Sequence, residues 1–430
     1  MKIVLKIVIL LTLSATLIQA QQYWQKVNSP TSKTLSKCHF VDSLYGWAAG
    51  DSGTVVHTSN GGAGWVLQNT GIDYYSIDDI FFINRSTGWA LCNDFLFTGT
   101  IVLRTTNGGN VWTNYRYPDS TKVWNVVYFL NPQTGFLTGF SGLFYKTTNS
   151  GINWFETYLD TSYCPLLYGL QKTRMYFIND NTGFACGGQI DIQGMMWKTT
   201  DAGLNWKTYC VSAEPLYDVK AVSPTKIIAT GGDFEYGMNM TVSYDAGETW
   251  NTDVTGIFGR GRALAFRTPS ELWVPMDFSQ TFAVSLDSGR IGSPWQDIRA
   301  EDSTGVIAAV FLSPTLGWAF GTKGNILKYN PSVIGIGSNE QVPEAFALSQ
   351  NYPNPFNPET KIGYTLNTGG IVKIDIFDVS GKLEASLENV YRPAGYHEVK
   401  WSAADLASGV YFYRITFGTG SITKKMMLLK

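Results

Sequence analysis

The chain alternates short apolar runs with turn-rich polar breaks from residue 22 to residue 330, and the breaks fall at a regular interval. One run ends in Phe, a turn follows, and Gly plus an aromatic residue come next: Phe40 with Gly46-Trp47, Phe82 with Gly88-Trp89, Phe129 with Gly135-Phe136, Phe177 with Gly183-Phe184, and Phe311 with Gly317-Trp318. In each, the aromatic follows the Phe by seven residues, and Ala221 with Ile228 and Phe266 with Trp273 keep that spacing in eroded form. Short runs bounded by Gly, Asn and Asp predict β-strands rather than helices. Seven copies across 309 residues give about 44 residues per unit, the period of four-stranded propeller blades.

The second half of each unit is a turn cassette. It reads Thr58-Ser-Asn60-Gly-Gly-Ala-Gly-Trp65, Thr105 to Asn107 and Trp112, Thr147 to Asn149 and Trp154, Thr199 to Asp201 and Trp206, and Ser243 to Asp245 and Trp250. A sixth copy, Ser285-Leu-Asp287-Ser-Gly289, reaches Trp295 after a three-residue insertion. A short Asn or Asp side chain accepts hydrogen bonds from its own turn, and Gly tolerates the positive φ the turn needs. The acids and amides of the cassette are therefore structural residues.

The pattern S/T-x-D/N-x-G-x-x-W resembles the Asp-box (BNR) repeat of sialidase-type propellers. Together with the run from Gly46 to Thr58, it is similar to the propellers of photosystem II assembly factors and their bacterial relatives. The resemblance implies a seven-bladed β-propeller over residues 21–330. The seventh unit lacks a fourth strand while Tyr23 to Val27 stands alone at the other end, so the N-terminal segment is expected to complete blade seven. Such closure removes an exposed sheet edge.

Two flanking segments change the picture. Residues 1–20 (MKIVLKIVILLTLSATLIQA) carry Lys2 and Lys6, an apolar run and a terminal Ala20, the pattern of a secretory signal peptide. The run is shorter than the ~20 residues a spanning helix needs, and no later stretch is longer, so a soluble mature protein is expected. Residues 331–344 read as a linker. Residues 345–430 alternate in β fashion, which predicts a small immunoglobulin-like β-sandwich.

The sandwich opens with Asn-Tyr-Pro-Asn354-Pro355-Phe356-Asn357-Pro358, continues to Ser-Gly409-Val-Tyr411-Phe-Tyr, and ends on Lys424-Lys425-Met-Met-Leu-Leu-Lys430. These motifs resemble the type A C-terminal sorting domain of type IX secretion cargo. The resemblance implies a Bacteroidota-like source and passage through the periplasm. It further implies recognition by the outer-membrane translocon and its C-terminal signal-processing machinery, and a final place outside the cell or on the outer-membrane surface of a Gram-negative bacterium.

Composition narrows function by exclusion. Formal charge is −2, charged residues are 15% of the chain and aromatics 14%, so a sequence-wide cationic field for nucleic acid is absent and a packed fold is favoured. The five cysteines (Cys38, Cys92, Cys164, Cys186, Cys210) include no C-x-x-C pair, and most are expected to be buried apolar fillers. His39, His57 and His397 lie in unrelated segments. No metal and no cofactor are expected.

Topology puts the links between strands two and three, and between blades, on the face opposite the Asp-box turns. The insertions Cys92–Thr100, Gly187–Met196, Gly231–Met240, Thr157–Lys172 and Asn251–Gly261 all belong there. They carry the ligand-binding candidates Tyr163, Tyr168, Tyr236, Phe258 and Arg260, with Arg262 just beyond. Aromatic and Arg side chains on loops of a rigid scaffold are the usual substance of binding sites.

The expected function is a monomeric binding platform for an extracellular glycan or protein. The alternatives are a polysaccharide hydrolase, with Asp191, Asp233 and Glu235 as its candidate carboxylates, and an assembly or stability factor for another exported protein. Sialidase chemistry is not expected, because its arginine triad and early F/Y-R-I-P motif are missing.

Overall fold

A computed structural model describes residues 23–430 apart from 94–98, 141, 166–168, 278, 301–303, 332–345, 367–368, 380–381, 394 and 418–419. The segment expected to be a signal peptide, the expected linker beyond Pro331, and Tyr168 lie outside the described residues. Among those described, no helix is long and apolar enough to cross a membrane.

Seven sheets, antiparallel except for one added edge strand, follow one another in chain order, and the first strand of each lies next to the first strands of its neighbours, so the sheets close into a ring. The inner strands are Leu35–Phe40, Ser76–Phe82, Trp124–Phe129, Lys172–Phe177, Leu216–Ala221, the paired segments Arg260–Gly261 and Ala265–Phe266, and Val306–Ser313. Blade seven is completed by Trp24–Val27, which pairs antiparallel with Ile326–Tyr329. Trp24 is 2% exposed among Trp273, Phe282, Phe311 and Tyr329.

The seven-residue spacing of the repeat has a packing cause. Gly46, Gly88, Gly135, Gly183 and Gly317 each sit under the Phe of their own hairpin, where an added Cβ would fall within 2.7 Å of the ring. The aromatic after the Gly then stacks on the Phe of the next blade, Trp47 on Phe82 at 3.5 Å and Trp89 on Phe129 at 3.6 Å. Adjacent blades thus interlock through buried aromatic faces, the largest apolar surfaces available.

All six cassettes share one hydrogen-bond pattern. The Ser or Thr oxygen accepts the N–H of the Gly four residues on, as Thr199 accepts Gly203 at 2.9 Å, and its hydroxyl donates to the Asn or Asp Oδ1. That Oδ1 in turn accepts the N–H four residues further in five copies, at Gly64, Val111, Asn153, Asn205 and Thr249. Trp65, Trp112 and Trp206 are buried behind their turns, and Trp154 and Trp250 are partly buried.

The structure corrects two expectations. The insertions are extended hairpins and strands more than loose loops: Gly183–Gln189 pairs with Gln193–Thr199, Ile227–Asp233 with Gly237–Ser243, and Tyr158–Asp160 adds a fifth, parallel strand outside blade four. The cysteines do not all act as apolar fillers. Cys164 and Cys210 form a disulfide tying the segment after that fifth strand to the outer strand of blade four, while Cys38, Cys92 and Cys186 are free.

The C-terminal unit is a two-sheet sandwich. One sheet contains Phe346–Leu348, Glu359–Leu366 and Gly395–Ser402; the other contains Leu383–Arg392, Gly370–Phe377, Gly409–Phe417 and Gly420–Leu428. Tyr364, Ile374, Tyr413, Met426 and Leu428 fill the space between them, each fully buried.

Candidate functional site

Every inner strand whose register is continuous carries a bulge near its start, between Leu35 and Lys37, Ile77 and Asp79, Trp124 and Val126, Lys172 and Arg174, Leu216 and Asp218, and Val306 and Ala308. A bulge bends the strand and re-aims the next side chain. The residue after it lies three positions before the strand-ending Phe, or before Ala221 in blade five. Read around the ring, that position holds Lys37, Asp79, Val126, Arg174, Asp218 and Ala308.

These strands surround a cavity of about 480 Å³ along the ring's axis, lined by residues of all seven blades. Lys37, Asp78, Arg174, Asp218, Lys220 and Arg262 supply its charges. Asp51, in the link between the second and third strands of blade one, and Ser76, at the start of an inner strand, also line it. It therefore opens on the face opposite the Asp-box turns. A second cavity of about 280 Å³ lies further along the strands, where His39, Phe81, Tyr128 and Tyr176 form an aromatic wall; His39 lies on Phe81 at 4.6 Å and Phe81 on Tyr128 at 5.0 Å.

The charges are organised. Asp79 accepts the N–H of Val127 in the next blade and Asp218 accepts that of Leu264, so each acid ties two inner strands together. Arg174 sits between them, 3.5 Å from Asp79 and 3.4 Å from Asp218. Burial opposes its charge, but the two acids outweigh that and raise its pKa. Burial lowers the pKa of Lys37, Lys220 and Arg262. It pushes Asp78 up to about 6 and, helped by the charge of Arg174, takes His39 down to about 4.

The ligand-binding candidates divide. Arg262 lines the cavity. Arg260 lies beside it but is engaged by Asp277, at 3.0 Å through Nε and 2.7 Å through Nη2, and stacks over Phe234 at 4.9 Å. Tyr236 and Phe258 are exposed on adjoining segments, which Met238 N–H joins to the Ile257 carbonyl. Tyr163 stands apart on the outside of blade four, stacked on Tyr209 at 5.9 Å under the Lys207 ammonium.

The three candidate carboxylates converge: Asp191, Asp233 and Glu235 bring one oxygen each to within 4.8 Å of one another. Asp191 and Asp233 come from the hairpins of blades four and five, and Glu214 joins them by accepting the Asp191 N–H at 3.2 Å. Burial raises the pKa of Glu214, and the three neighbouring acids add to the effect. The spacing is tighter than the ~6.5–9.5 Å between carboxyl groups that an inverting glycosidase needs for its water. An oxygen set of this kind could instead hold a hard divalent cation.

Sequence reading missed the cavity. Its charges come from five of the seven blades, on strands far apart in the chain. The signal was the column three before each Phe, where charged residues interrupt otherwise apolar runs.

In the sandwich, the sorting-motif residues hold the end of the chain. Asn354 Oδ1 accepts the N–H of Met427, Phe356 N–H donates to Met427 O, and Leu429 N–H donates to Phe356 O, all at 2.9 Å. Gly409 pairs with Leu428, the Tyr411 hydroxyl donates to the Ala407 carbonyl, and Lys430 is fixed through Ser408 and Ala404. Lys424 and Lys425 lie within the last strand, Pro355 and Asn357 flank Phe356, and the carbonyl of Pro358 accepts the Ala403 N–H.

Residues 350–429 match the family described as Secretion system C-terminal sorting domain, and residues 17–162 match the family described as Photosynthesis system II assembly factor YCF48. The photosystem II assembly lipoprotein Ycf48 of Nostoc is 24% identical over 54% of this chain and 90% of its own length. That of Picosynechococcus is 26% identical over 72% and 88%. Among solved structures, YCF48 bound to D1 peptide covers 72% of this chain and 97% of its own at TM-score 0.57 and 19% identity. A GH74 xyloglucanase from Xanthomonas campestris covers 80% and 59% at TM-score 0.55 and 11% identity. These structural likenesses establish the fold. The chain is an Asp-box β-propeller similar to photosystem II assembly factors, followed by a C-terminal sorting domain that marks it for type IX secretion to the outside or the surface of the cell.

Proposed function

We propose that the mature protein is a binding platform outside the cell whose ligand seats at the mouth of the axial cavity, and that this ligand is a segment of another protein. Residues 1–20 would direct the chain to the periplasm, residues 345–430 would take it through the outer membrane, and residues 21–330 would bind. One observation carries the reading: the extended hairpins, with exposed Tyr236 and Phe258, share the face on which a charged cavity built by all seven blades opens. A rigid ring with side chains presented at one end favours recognition over chemistry. A similar propeller with a peptide bound, YCF48, supports a peptide over a glycan.

The test is retention of the full chain on peptide and glycan arrays, beside a Tyr236→Ala/Phe258→Ala variant, with reducing ends measured in parallel. Saturable peptide binding that weakens about tenfold or more in the variant is expected. No retention, or equal retention by the variant, refutes the proposal, and reducing ends released from a polysaccharide would replace it with the hydrolase.

A further inference from the structure

The cavity's charges define a ligand chemistry more sharply than its mouth does, and the ligand they select presupposes the binding-platform reading. Four cations line the walls: Lys37, Arg174, Lys220 and Arg262. Arg174 is held by Asp79 and Asp218, and both acids are already tied to backbone N–H groups. Among the described residues Arg262 pairs with one carboxylate, Asp277 at 3.7 Å, which Arg260 holds at 2.7 Å, and it lies over the Tyr217 ring at 4.7 Å. Lys37 and Lys220 have no ion pair within 4 Å among the described residues, although burial lowers the pKa of both.

Asp78 is the remaining wall acid. It accepts the Asn93 amide at 2.7 Å and lies near enough to Lys37 to feel its charge without pairing. His39 is neutral at pH 7. Asp51 is exposed at the rim, where Ser76 donates to it at 3.4 Å. Asp79 and Asp218 are thus spent on Arg174 and on backbone N–H groups, Asp51 faces solvent at the rim, and among the described residues Lys37, Lys220 and Arg262 keep donors free.

We propose that the cavity is a carboxylate site, in which Lys37 and Lys220 grip one anionic group and Arg262 closes on it from the mouth. The carboxylate belongs either to a small organic acid or to an acidic residue of a protein partner. A carboxylate brings one negative charge and two acceptor oxygens, which match ammonium groups that donate and cannot accept. A phosphate monoester, at about −1.5 to −2, would set a larger negative charge against Asp78 and Asp218 in the same walls. The volume lies within the ~300–1,000 Å³ typical of small-ligand sites.

The experiment is calorimetric titration of the full chain at low salt with propionate and with an amidated glutamate-containing hexapeptide, each against its neutral counterpart, propionamide and the glutamine peptide. At least one acid is expected to bind about tenfold tighter than its amide. Lys37→Met/Lys220→Met should lose about tenfold or more, and Asp78→Asn should gain several-fold by removing a repelling charge.

Propionate binding alone identifies a small acid, and peptide binding alone a protein partner. Equal binding of acids and amides, no saturable binding of either acid, or unchanged affinity in the lysine variant overturns the proposal. Should the lysine variant fail to fold, Arg262→Gln and Asp78→Asn decide by the direction of their effects. An array ligand that binds the lysine variant as well as wild type removes the carboxylate site while leaving the platform intact.

Discussion

Replacing Trp24 with Ala tests whether the N-terminal strand holds the ring closed. Trp24 is 2% exposed, stacks on Phe282 at 4.9 Å and meets Trp273 edge-on at 5.8 Å. A buried indole of roughly 150–250 Å² at ~25 cal/mol/Å² gives about 4–6 kcal/mol, an upper bound because the unfolded chain also buries some surface. Measured Trp-to-Ala losses of about 3–5 kcal/mol lead to an expected value of about 4 kcal/mol.

The rest of the strand cannot compensate. Gln25 and Lys26 are exposed, Val27 is half-buried, and only four residue pairs join it to Ile326–Tyr329. Its release would expose that strand as an open edge. Urea unfolding followed by tryptophan fluorescence should show the loss on the propeller's transition, and size-exclusion chromatography should show concentration-dependent association. Gln25→Ala should change stability by less than ~0.5 kcal/mol. A Trp24→Ala protein that stays monomeric and loses less than about 1 kcal/mol would refute the latch.

Other outcomes concern pH, the disulfide and the C-terminal strand. Asp78, raised to about 6, binds its proton more tightly when folded, so its contribution to stability falls as pH rises from about 4 to 6; His39, lowered to about 4, makes stability rise across about 4 to 6.5. Urea midpoints at several pH values should therefore shift with opposite slopes, relative to wild type, in Asp78→Asn and His39→Gln. Thiol titration of the unreduced, denatured protein should count three of the five cysteines, and Cys210→Ser should cost up to about 4 kcal/mol for a 46-residue separation. Phe356→Ala should free the last strand, read as faster proteolytic trimming of the C-terminus and impaired export, whereas the exposed Asn357→Ala should leave trimming unchanged.

The blades were legible because each depends on local signals repeated at fixed distance. Phe82, Gly88 and Trp89 interlock in the same way as Phe129, Gly135 and Phe136, and one hydrogen-bonded turn recurs from Thr58 to Ser285. The latch was legible for the same reason, since Tyr23 to Val27 is a strand without a unit. The cavity and the disulfide were not, because both join residues that no local pattern relates. Lys37 and Lys220 share a cavity across 183 positions, and Cys164 meets Cys210 only because Tyr158–Asp160 adds to the outside of blade four. The acidic cluster was half legible: its three residues stand out as carboxylates on one face of the ring, and two hairpins and a linking segment bring them together.

Two sets of positions in the same repeat therefore do different work. The Phe, Gly and Trp columns face between blades, where close packing makes even a methyl group costly, and they vary little from copy to copy. The column three before the Phe lines one or other of the two axial cavities, which accept Lys, Asp, Val, Arg or Ala without disturbing the strand pairing. Stability constrains that column only where an acid also ties neighbouring blades, at Asp79 and Asp218. Lys37 in that column, and Lys220 two positions beyond Asp218 on its own strand, carry no such bond among the described residues, so packing does not fix their charge. Replacing both should alter what the ring binds far more than how firmly it is folded.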